Sequence, residues 1–201
     1  MANERLDDQW ALTDFGVPPT WAALEVKPGL GVDIAVIDSS FYVEHEDLVG
    51  RFSTNQWDFY AGDSDVSVPA DTEGSLWQHG THVAGIVGAA DNNVGVRGVA
   101  SSATLIPAKV FNNKGDMSDS ITLIQAIQWV SGETLSPSEN SHPEPLSTPV
   151  DFINLSLGFD DPQTTSTAYD IALHEAIGRA WENGIVTFAA VGNITNANSD
   201  P

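Results

Sequence analysis

The fold of this 201-residue chain is decided by residues 32–37, which read VDIAVI. A near-continuous run of β-branched and apolar residues is typical of a strand covered on both faces. Three further runs share this character, at residues 103–110, 150–155 and 185–191. Strands of this kind occur in parallel sheets, whose connections need helices. The sequence therefore predicts an α/β fold, with a mostly parallel sheet flanked by helices.

Helical patterns fill the intervals between these strands. Small and apolar side chains dominate one interval, and apolar residues recur at helical spacing in others. The predicted helices are a short one at 18–24, a buried one at 79–90, and two more at 121–130 and 169–180. The chain has no internal repeat and no composition shift, so we expect a single domain over residues 1–201.

Composition excludes several classes of protein. The 28 acidic residues outnumber the 7 basic ones and give a net charge of −21, which repels phosphate backbones and anionic membrane surfaces. We therefore expect neither a nucleic acid nor a membrane as a partner. The chain has no cysteine, which removes disulfides, thiolate metal sites and a cysteine nucleophile. No apolar run is long enough to span a bilayer, and the polar start indicates no signal peptide in these residues.

Two segments are predicted to be loops. Residues 62–77 carry four acids without periodicity, and we favour a solvated loop over a cation site. These acids are Asp63, Asp65, Asp71 and Glu73. Residues 131–149 are rich in proline and are predicted to form a mobile surface excursion that carries His142 as an ordinary surface residue.

Four polar features are expected to meet at one edge of the sheet. Asp38, residues 156–158 and residues 192–193 each follow a predicted strand, and His79 opens a predicted helix. Ligands of open α/β sheets bind at the carboxyl ends of the strands, and the helix N-termini face the same edge. A chemical site is therefore predicted there before any family is considered.

An Asp beside a His has a known chemical use. The carboxylate accepts the imidazole Nδ1 proton, sets the tautomer and stabilises the imidazolium formed when a hydroxyl is deprotonated. The alternative is that Asp38 is a structural carboxylate near a helix start. A metal site on His79 and His82 lacks a nearby third ligand, so His82 is predicted to be a buried, hydrogen-bonded helix residue.

Four segments resemble the sequence motifs of the subtilase family of serine peptidases. They occur in the family's order, and the resemblance runs from about residue 9 to the end of the chain. The segments are VIDS at 36–39, HGTHVAG at 79–85, INLSLG at 153–158 and AAVGN at 189–193. The resemblance implies a subtilisin-like three-layer domain. It also implies that Asp38 orients His79, that His79 is the general base and then the general acid, and that Asn193 donates its amide to the oxyanion.

The same resemblance implies a peptide cleft. Subtilases bind an extended peptide or protein substrate as an added strand. One edge of the cleft would be Ser156, Leu157 and Gly158; the other would run from Phe111 to Gly115. Phe111 and Leu157 would shape apolar subsites, and the alternative for both is an ordinary core position.

A structural calcium site is also implied by the resemblance, because many subtilases loop backbone carbonyls around Ca²⁺ after the His helix. Calcium takes six to eight oxygen ligands. Asp7 or Asp8 is a candidate to complete the coordination sphere, and the alternative is an Asn- and Gly-rich turn without metal. The implied ligands are Asp47, Ala90, Asn92, Val94 and Val96.

One family element has no counterpart in these 201 residues. The Gly-Thr-Ser segment that carries the nucleophile is absent, and only eight residues follow Asn193. We therefore expect a domain truncated before the nucleophile helix, inactive alone, whose exposed apolar surface is covered by the missing C-terminal segment. The predicted function is a secreted or extracellular serine endopeptidase with a Ser-His-Asp triad. The alternative is a catalytically inactive, subtilase-like peptide-binding or scaffold protein.

Overall fold

The computed structural model describes residues 5–68, 78–112, 120–136, 141–158 and 167–192. Within these ranges, a 3-10 turn at Leu6–Asp8 precedes five helices and five strands. The helices are α1 (Trp10–Asp14), α2 (Val17–Ala23), α3 (His79–Gly88), α4 (Ser120–Val130) and α5 (Thr167–Glu182). The strands are β1 (Asp33–Asp38), β2 (Trp57–Asp58), β3 (Thr104–Lys109), β4 (Phe152–Leu155) and β5 (Val186–Ala189).

The five strands form one parallel sheet in the order β2-β3-β1-β4-β5. Strand β1 lies at the centre and pairs with β3 from Asp33 opposite Thr104 to Asp38 opposite Lys109. The predicted α/β class is confirmed, and each of the four predicted strands has a counterpart. The edge strand β2 was not predicted because two residues are too few to show a periodicity.

Two hydrophobic clusters lie on opposite faces of the sheet. On one face, Val36 and Leu105 pack with Val83 and Ala84 of α3. On the other face, the inward residues of β1, β3 and β4 pack against α4 and α5, as Ile37 does. The period-2 alternation of strand side chains sends consecutive residues of β1 to different clusters. The sheet therefore lies between two helical layers, as the three-layer prediction requires.

The N-terminal segment is fixed to the loop that follows α3, which the sequence did not predict. The Gln9 side chain bonds both backbone groups of Arg97, at 2.9 Å from its Nε2 to the carbonyl and 2.8 Å from the Arg97 amide to its Oε1. The Trp21 Nε1 donates to the Val99 carbonyl at 2.8 Å, and the Arg97 guanidinium lies 3.8 Å from the centre of the Trp21 ring. These contacts join elements that are about 80 residues apart in sequence, beyond the reach of local patterns.

The described parts of the predicted proline-rich excursion are bound to α4. The Trp129 Nε1 donates to the Glu144 carbonyl at 3.1 Å, and the Ser136 amide donates to Gln128 Oε1 at 2.7 Å. Leu135 is buried in the larger cluster, whereas His142 is exposed, as predicted. The segment is therefore more firmly attached than its composition indicates.

The described part of the acid-rich loop uses its carboxylates in local turns. Asp63 Oδ1 accepts the Asp65 amide at 2.8 Å, and Asp65 Oδ1 accepts the Ser67 amide at 3.0 Å. Hydrogen bonds from Ser67 lower the pKa of Asp65. Asp71 and Glu73 lie outside the described residues. In the described ranges, none of the helices has the length and apolar character needed to cross a bilayer.

Candidate active site

Strand alternation and helix packing bring Asp38 to the start of α3. Asp38 is the last residue of β1, two positions after Val36, so its side chain lies on the α3 face of the sheet. His79 is the first residue of α3. Because α3 packs on this face, its first turn lies beside the carboxyl end of β1. The expectation that the two side chains meet is confirmed by the geometry.

The Asp38 and His79 side chains are joined by a short hydrogen bond. Nδ1 of His79 lies 2.7 Å from Oδ1 of Asp38. The Asp38 side chain is 1% exposed and the His79 side chain is 45% exposed, so the carboxylate is buried while the imidazole reaches solvent. The same Oδ1 accepts the Ser39 amide at 2.6 Å. Among the described residues, the buried Asp38 Oδ2 has no hydrogen-bond partner.

The pKa of His79 is raised above its ordinary value of 6.5. The hydrogen bond to Asp38 is the largest cause, burial opposes it, and the negative charge of Asp38 adds to it. The N-terminus of α3 acts in the opposite sense, since its positive dipole end disfavours an imidazolium. The interactions with Asp38 outweigh the effect of burial, so the net shift of the His79 pKa is upward.

The segments predicted to form the substrate cleft lie on either side of Asp38. Strand β1 lies between β3 and β4, so residues 110–112 follow one neighbouring strand and residues 156–158 follow the other. The Val110 amide donates to the Asp38 carbonyl at 3.0 Å, which holds the first segment against the end of β1. The site is therefore flanked on both sides by chain that leaves the sheet.

The predicted cleft residues differ in burial. Phe111 and Leu157 are half-buried and pack against the larger cluster, so they combine a core contact with partial exposure. Ser156 Oγ accepts the Asn154 amide group at 3.0 Å. Gly158 is exposed, and a Cβ there would meet no atom within 4 Å. Two predicted site residues, Asn193 and Gly115, lie outside the described residues.

The predicted calcium ligands lie on two segments that contact each other. Asp47 is 5% exposed, and its Oδ2 accepts the Val96 amide at 3.2 Å. The Asn92 Nδ2 donates to the Glu46 carbonyl at 3.0 Å, and its Oδ1 accepts the Val94 amide at 3.0 Å. The Ala90 amide donates to the Asp47 carbonyl at 2.8 Å. The five residues named for this site are therefore neighbours in the fold.

The Asp47 carboxylate leaves one oxygen unsatisfied. Its Oδ1 is buried and has no hydrogen-bond partner among the described residues. A Cβ on Gly95 would clash with this carboxylate, and Gly95 has a φ of 45°. The described ranges contain no group of three or more His, Cys, Asp or Glu side chains placed to hold a metal, so a cation here would depend on backbone and amide oxygens.

The burial predicted for His82 is wrong, and the N-terminal segment contacts the site through a residue that was not predicted. His82 is exposed, not buried, because the face of α3 that it occupies is turned away from the sheet. Asp7 and Asp8 are both exposed, and Asp8 pairs with Arg5 at 3.1 Å, whereas it is Gln9 that binds the loop after α3. Amide side chains give no periodic or charge signal, so Gln9 was not singled out.

A buried ion pair beside Asp38 was also missed. Lys109 Nζ lies 2.7 Å from Asp58 Oδ2, and their side chains are 6% and 2% exposed. Lys109 is the register partner of Asp38 in the sheet, so the pair lies at the same edge. A lysine at the end of an apolar strand indicates a buried charge that needs a partner. The sequence did not identify that partner, because Asp58 lies about 50 residues earlier in a strand too short to predict.

Comparisons with known proteins agree with this geometry. The model of the Subtilase family matches residues 29–201. The minor extracellular protease Epr of Bacillus subtilis (strain 168) is 33% identical over 191 residues, which cover 94% of this chain and 24% of Epr. Subtilisin DY of Bacillus licheniformis is 34% identical over 173 residues, which cover 85% of this chain and 50% of that protein.

Solved structures show the same relationship. A protease from Pseudoalteromonas arctica PAMC 21717 superposes with a TM-score of 0.76 at 31% identity, over 96% of this chain and 59% of that one. A cold-adapted subtilisin-like serine proteinase superposes with a TM-score of 0.56 at 28% identity. The chain thus spans only part of the length of the relatives that it matches. With the family model matching most of its residues and the parallel sheet shared with these structures, the chain belongs to the subtilase family.

Proposed function

We propose that this chain supplies the Asp and the His of a serine endopeptidase site that hydrolyses peptide bonds through a Ser-His-Asp triad. The single observation that carries the proposal is the 2.7 Å contact between the buried Asp38 carboxylate and the half-exposed His79 imidazole. A structural salt bridge would need no exposed ring. A general base needs one ring nitrogen held by a carboxylate and the other accessible to substrate chemistry.

In this proposal each group has a distinct role. With Nδ1 held as a donor to Asp38, the neutral tautomer of His79 presents Nε2 as an acceptor for the proton of a serine hydroxyl. The imidazolium that forms is stabilised by the buried carboxylate, and His79 then returns the proton to the leaving amine. Asn193 would donate its side-chain amide to the oxyanion of the tetrahedral intermediate. The serine would come from sequence outside these 201 residues.

The substrate in this proposal is an extended peptide lying between the two flanking segments. Ser156, Leu157 and Gly158 would form one edge, and the segment from Phe111 to Gly115 the other. The open space around Gly158 and the partial exposure of Phe111 and Leu157 support this placement. Peptide backbone would pair with these edges as an added strand.

Exposed apolar residues support a second partner, the rest of the same domain. Ile86 on the outer face of α3 is 53% exposed, and Val191 at the end of β5 is fully exposed. Single apolar residues on a surface are ordinary, but Ile86 lies on the helix that begins at His79, and Val191 follows the carboxyl end of β5. We propose that chain following these 201 residues covers them. An extracellular location is likewise proposed, supported by the extracellular protease Epr among the relatives.

Labelling with a fluorophosphonate probe tests the proposed function. In the complete protein, the probe is expected to modify one serine outside these 201 residues, because only a serine activated by a base reacts readily. His79→Ala is expected to abolish the labelling, whereas His142→Ala, a change at an exposed histidine away from the site, is expected to preserve it. Mass spectrometry of the labelled peptides is the measurement. Folded wild-type protein that takes up no label would overturn the peptidase and favour the peptide-binding or scaffold function.

We also propose that the Asp47 loop binds calcium as a structural ion. The buried Oδ1 without a partner is the observation that supports it, since a buried carboxylate oxygen is costly unless it is paired. Asp47 and Asn92 would supply side-chain oxygens, and Ala90, Val94 and Val96 backbone carbonyls. The ion would supply positive charge that stabilises this loop, with no part in the hydrolysis.

Calcium is expected to raise the stability of the protein. Free Ca²⁺ at about 100 times its dissociation constant should add about 2.7 kcal/mol to the free energy of unfolding, and chelation should remove it. Asp47→Asn should abolish this dependence, and Asp170→Asn, on an exposed acid of α5, should leave it intact. Thermal unfolding with and without chelator is the measurement. An equal response of the wild type and Asp47→Asn to calcium would show that the ion binds elsewhere.

A further inference from the structure

Helix α3 begins without a cap from its own N-terminal residue. Gln78 makes no side-chain hydrogen bond to the helix, although the first amides of a helix have no intrahelical partners. The buried Gly80 amide donates instead to Ser39 Oγ, at 3.0 Å. Ser39 lies 41 residues before Gly80, just after β1, and is 5% exposed. A hydroxyl from the strand end thus does for this helix what an N-cap residue does elsewhere.

Ser39 also contacts the carboxylate on which His79 depends. Its backbone amide donates to Asp38 Oδ1 at 2.6 Å, and this is the oxygen that lies 2.7 Å from His79 Nδ1. Ser39 therefore contacts Asp38 through its amide and, through its hydroxyl, Gly80, the residue that follows His79 in the first turn of α3. The link between Asp38 and His79 runs through Ser39 as well as through their own hydrogen bond.

The approach of the two segments is close and specific. A Cβ on Gly80 would lie 2.9 Å from the Ser40 carbonyl oxygen and 3.0 Å from that of Ser39, so only glycine fits without a shift. The Tyr42 amide donates to Thr81 Oγ1 at 2.8 Å. Residues 38–42 therefore lie along the first turn of α3 and share hydrogen bonds with three consecutive helix residues, His79, Gly80 and Thr81. This leaves the His79 backbone little freedom relative to β1.

We propose that Ser39 is a positioning residue, whose hydroxyl caps α3 and thereby sets the distance and orientation of the Asp38–His79 hydrogen bond. Its consequence for catalysis rests on the proposed peptidase function. The proposed effect of Ser39 on the Asp38–His79 hydrogen bond does not depend on that function, because all the groups involved are present in this chain. The neighbouring Ser40 provides a matched comparison: it is 1% exposed, and its Oγ has no partner among the described residues.

The test compares Ser39→Ala with Ser40→Ala and follows His79 by ¹⁵N NMR. Ser39→Ala is expected to shift the pKa of His79 down towards 6.5 and to weaken or remove the low-field Nδ1 proton signal of the Asp-bound ring. Ser40→Ala is expected to change neither. Ser39→Thr keeps the hydroxyl and should restore both signatures. Should Ser39→Ala not fold, Ser39→Cys gives a weaker acceptor of similar size for the same titration.

A second readout connects this arrangement to turnover in the complete protein. Because small misplacements of catalytic groups are costly, Ser39→Ala is expected to lower kcat by roughly 10- to 100-fold with KM little changed. A loss of stability alone would leave the His79 pKa in the folded fraction unchanged. An unchanged pKa and low-field signal in folded Ser39→Ala would overturn the proposal. If the wild type lacks activity, the NMR result still tests the positioning role of Ser39. Failure of the peptidase function can therefore be distinguished from failure of the positioning role.

Discussion

Asp38→Asn is expected to lower kcat/KM of the complete protein by roughly 10⁴-fold, as the equivalent amide substitution does in serine-protease triads. An Asn NH2 group in the place of Asp38 Oδ1 would donate to His79 Nδ1 and favour the wrong tautomer, so Nε2 would carry the proton and be unable to act as a base. The volume of the side chain is nearly unchanged, so the fold should persist. Asp33→Asn, at the opposite end of the same strand, is the matched control and should retain activity. Initial rates on a peptide substrate are the measurement.

The dependence on pH provides an independent readout of the same substitution. Since Asp38 raises the pKa of His79, the acid limb of kcat/KM in the wild type should lie above pH 6.5, and in Asp38→Asn it should move to lower pH. Stability follows the sign of the raised pKa: the contribution of the pair is fully present below pH 6.5 and disappears as the pH rises through the folded-state value. The substitution should therefore lower Tm more at about pH 5.5 than at about pH 9. A folded variant with wild-type kcat/KM would rule out the assigned role of Asp38.

Lys109→Met is expected to be the most destabilising of the substitutions considered. It leaves the Asp58 carboxylate, whose side chain is 2% exposed, buried without its ammonium partner. Removing one member of a buried pair costs about 3–5 kcal/mol. At about 2–4 °C for each kcal/mol in a chain of this size, Tm should fall by about 6–20 °C. Differential scanning calorimetry is the measurement.

Two controls separate the buried charge from a general packing effect. Arg5→Met removes a cation from a pair whose side chains are 64% and 67% exposed, and should cost less than about 1 kcal/mol. The double substitution Lys109→Met with Asp58→Asn removes both charges and should recover part of the loss. Asn keeps an Oδ1 that can accept the Tyr60 and Ala61 amides, as Asp58 Oδ1 does at 2.9 Å. A double variant no more stable than Lys109→Met alone would show that the unpaired carboxylate is not the cause.

Much of the fold follows from local patterns that a single sequence contains. Strands β1, β3, β4 and β5 were predictable because each lies in a run rich in apolar and β-branched residues, and α3 to α5 because small and apolar residues dominate them or recur at helical spacing. Strand β2 and helix α1, of two and five residues, are too short for either periodicity. The attachment of the N-terminal segment through Gln9 was equally invisible, because it pairs an amide with a backbone 88 residues away.

The sequence by itself determined the α/β class, the strand that precedes Asp38 and the residue types at its carboxyl end, because hydrophobic patterning and motif chemistry are local properties. Only the tertiary structure decided which of those residues touch. In the folded chain His82 is exposed to solvent, Lys109 pairs with Asp58, and Ser39 lies against the first turn of α3. Those outcomes depend on strand order and on the docking of α3 against the sheet, which arise from contacts between residues far apart in the chain and leave no periodic trace in it.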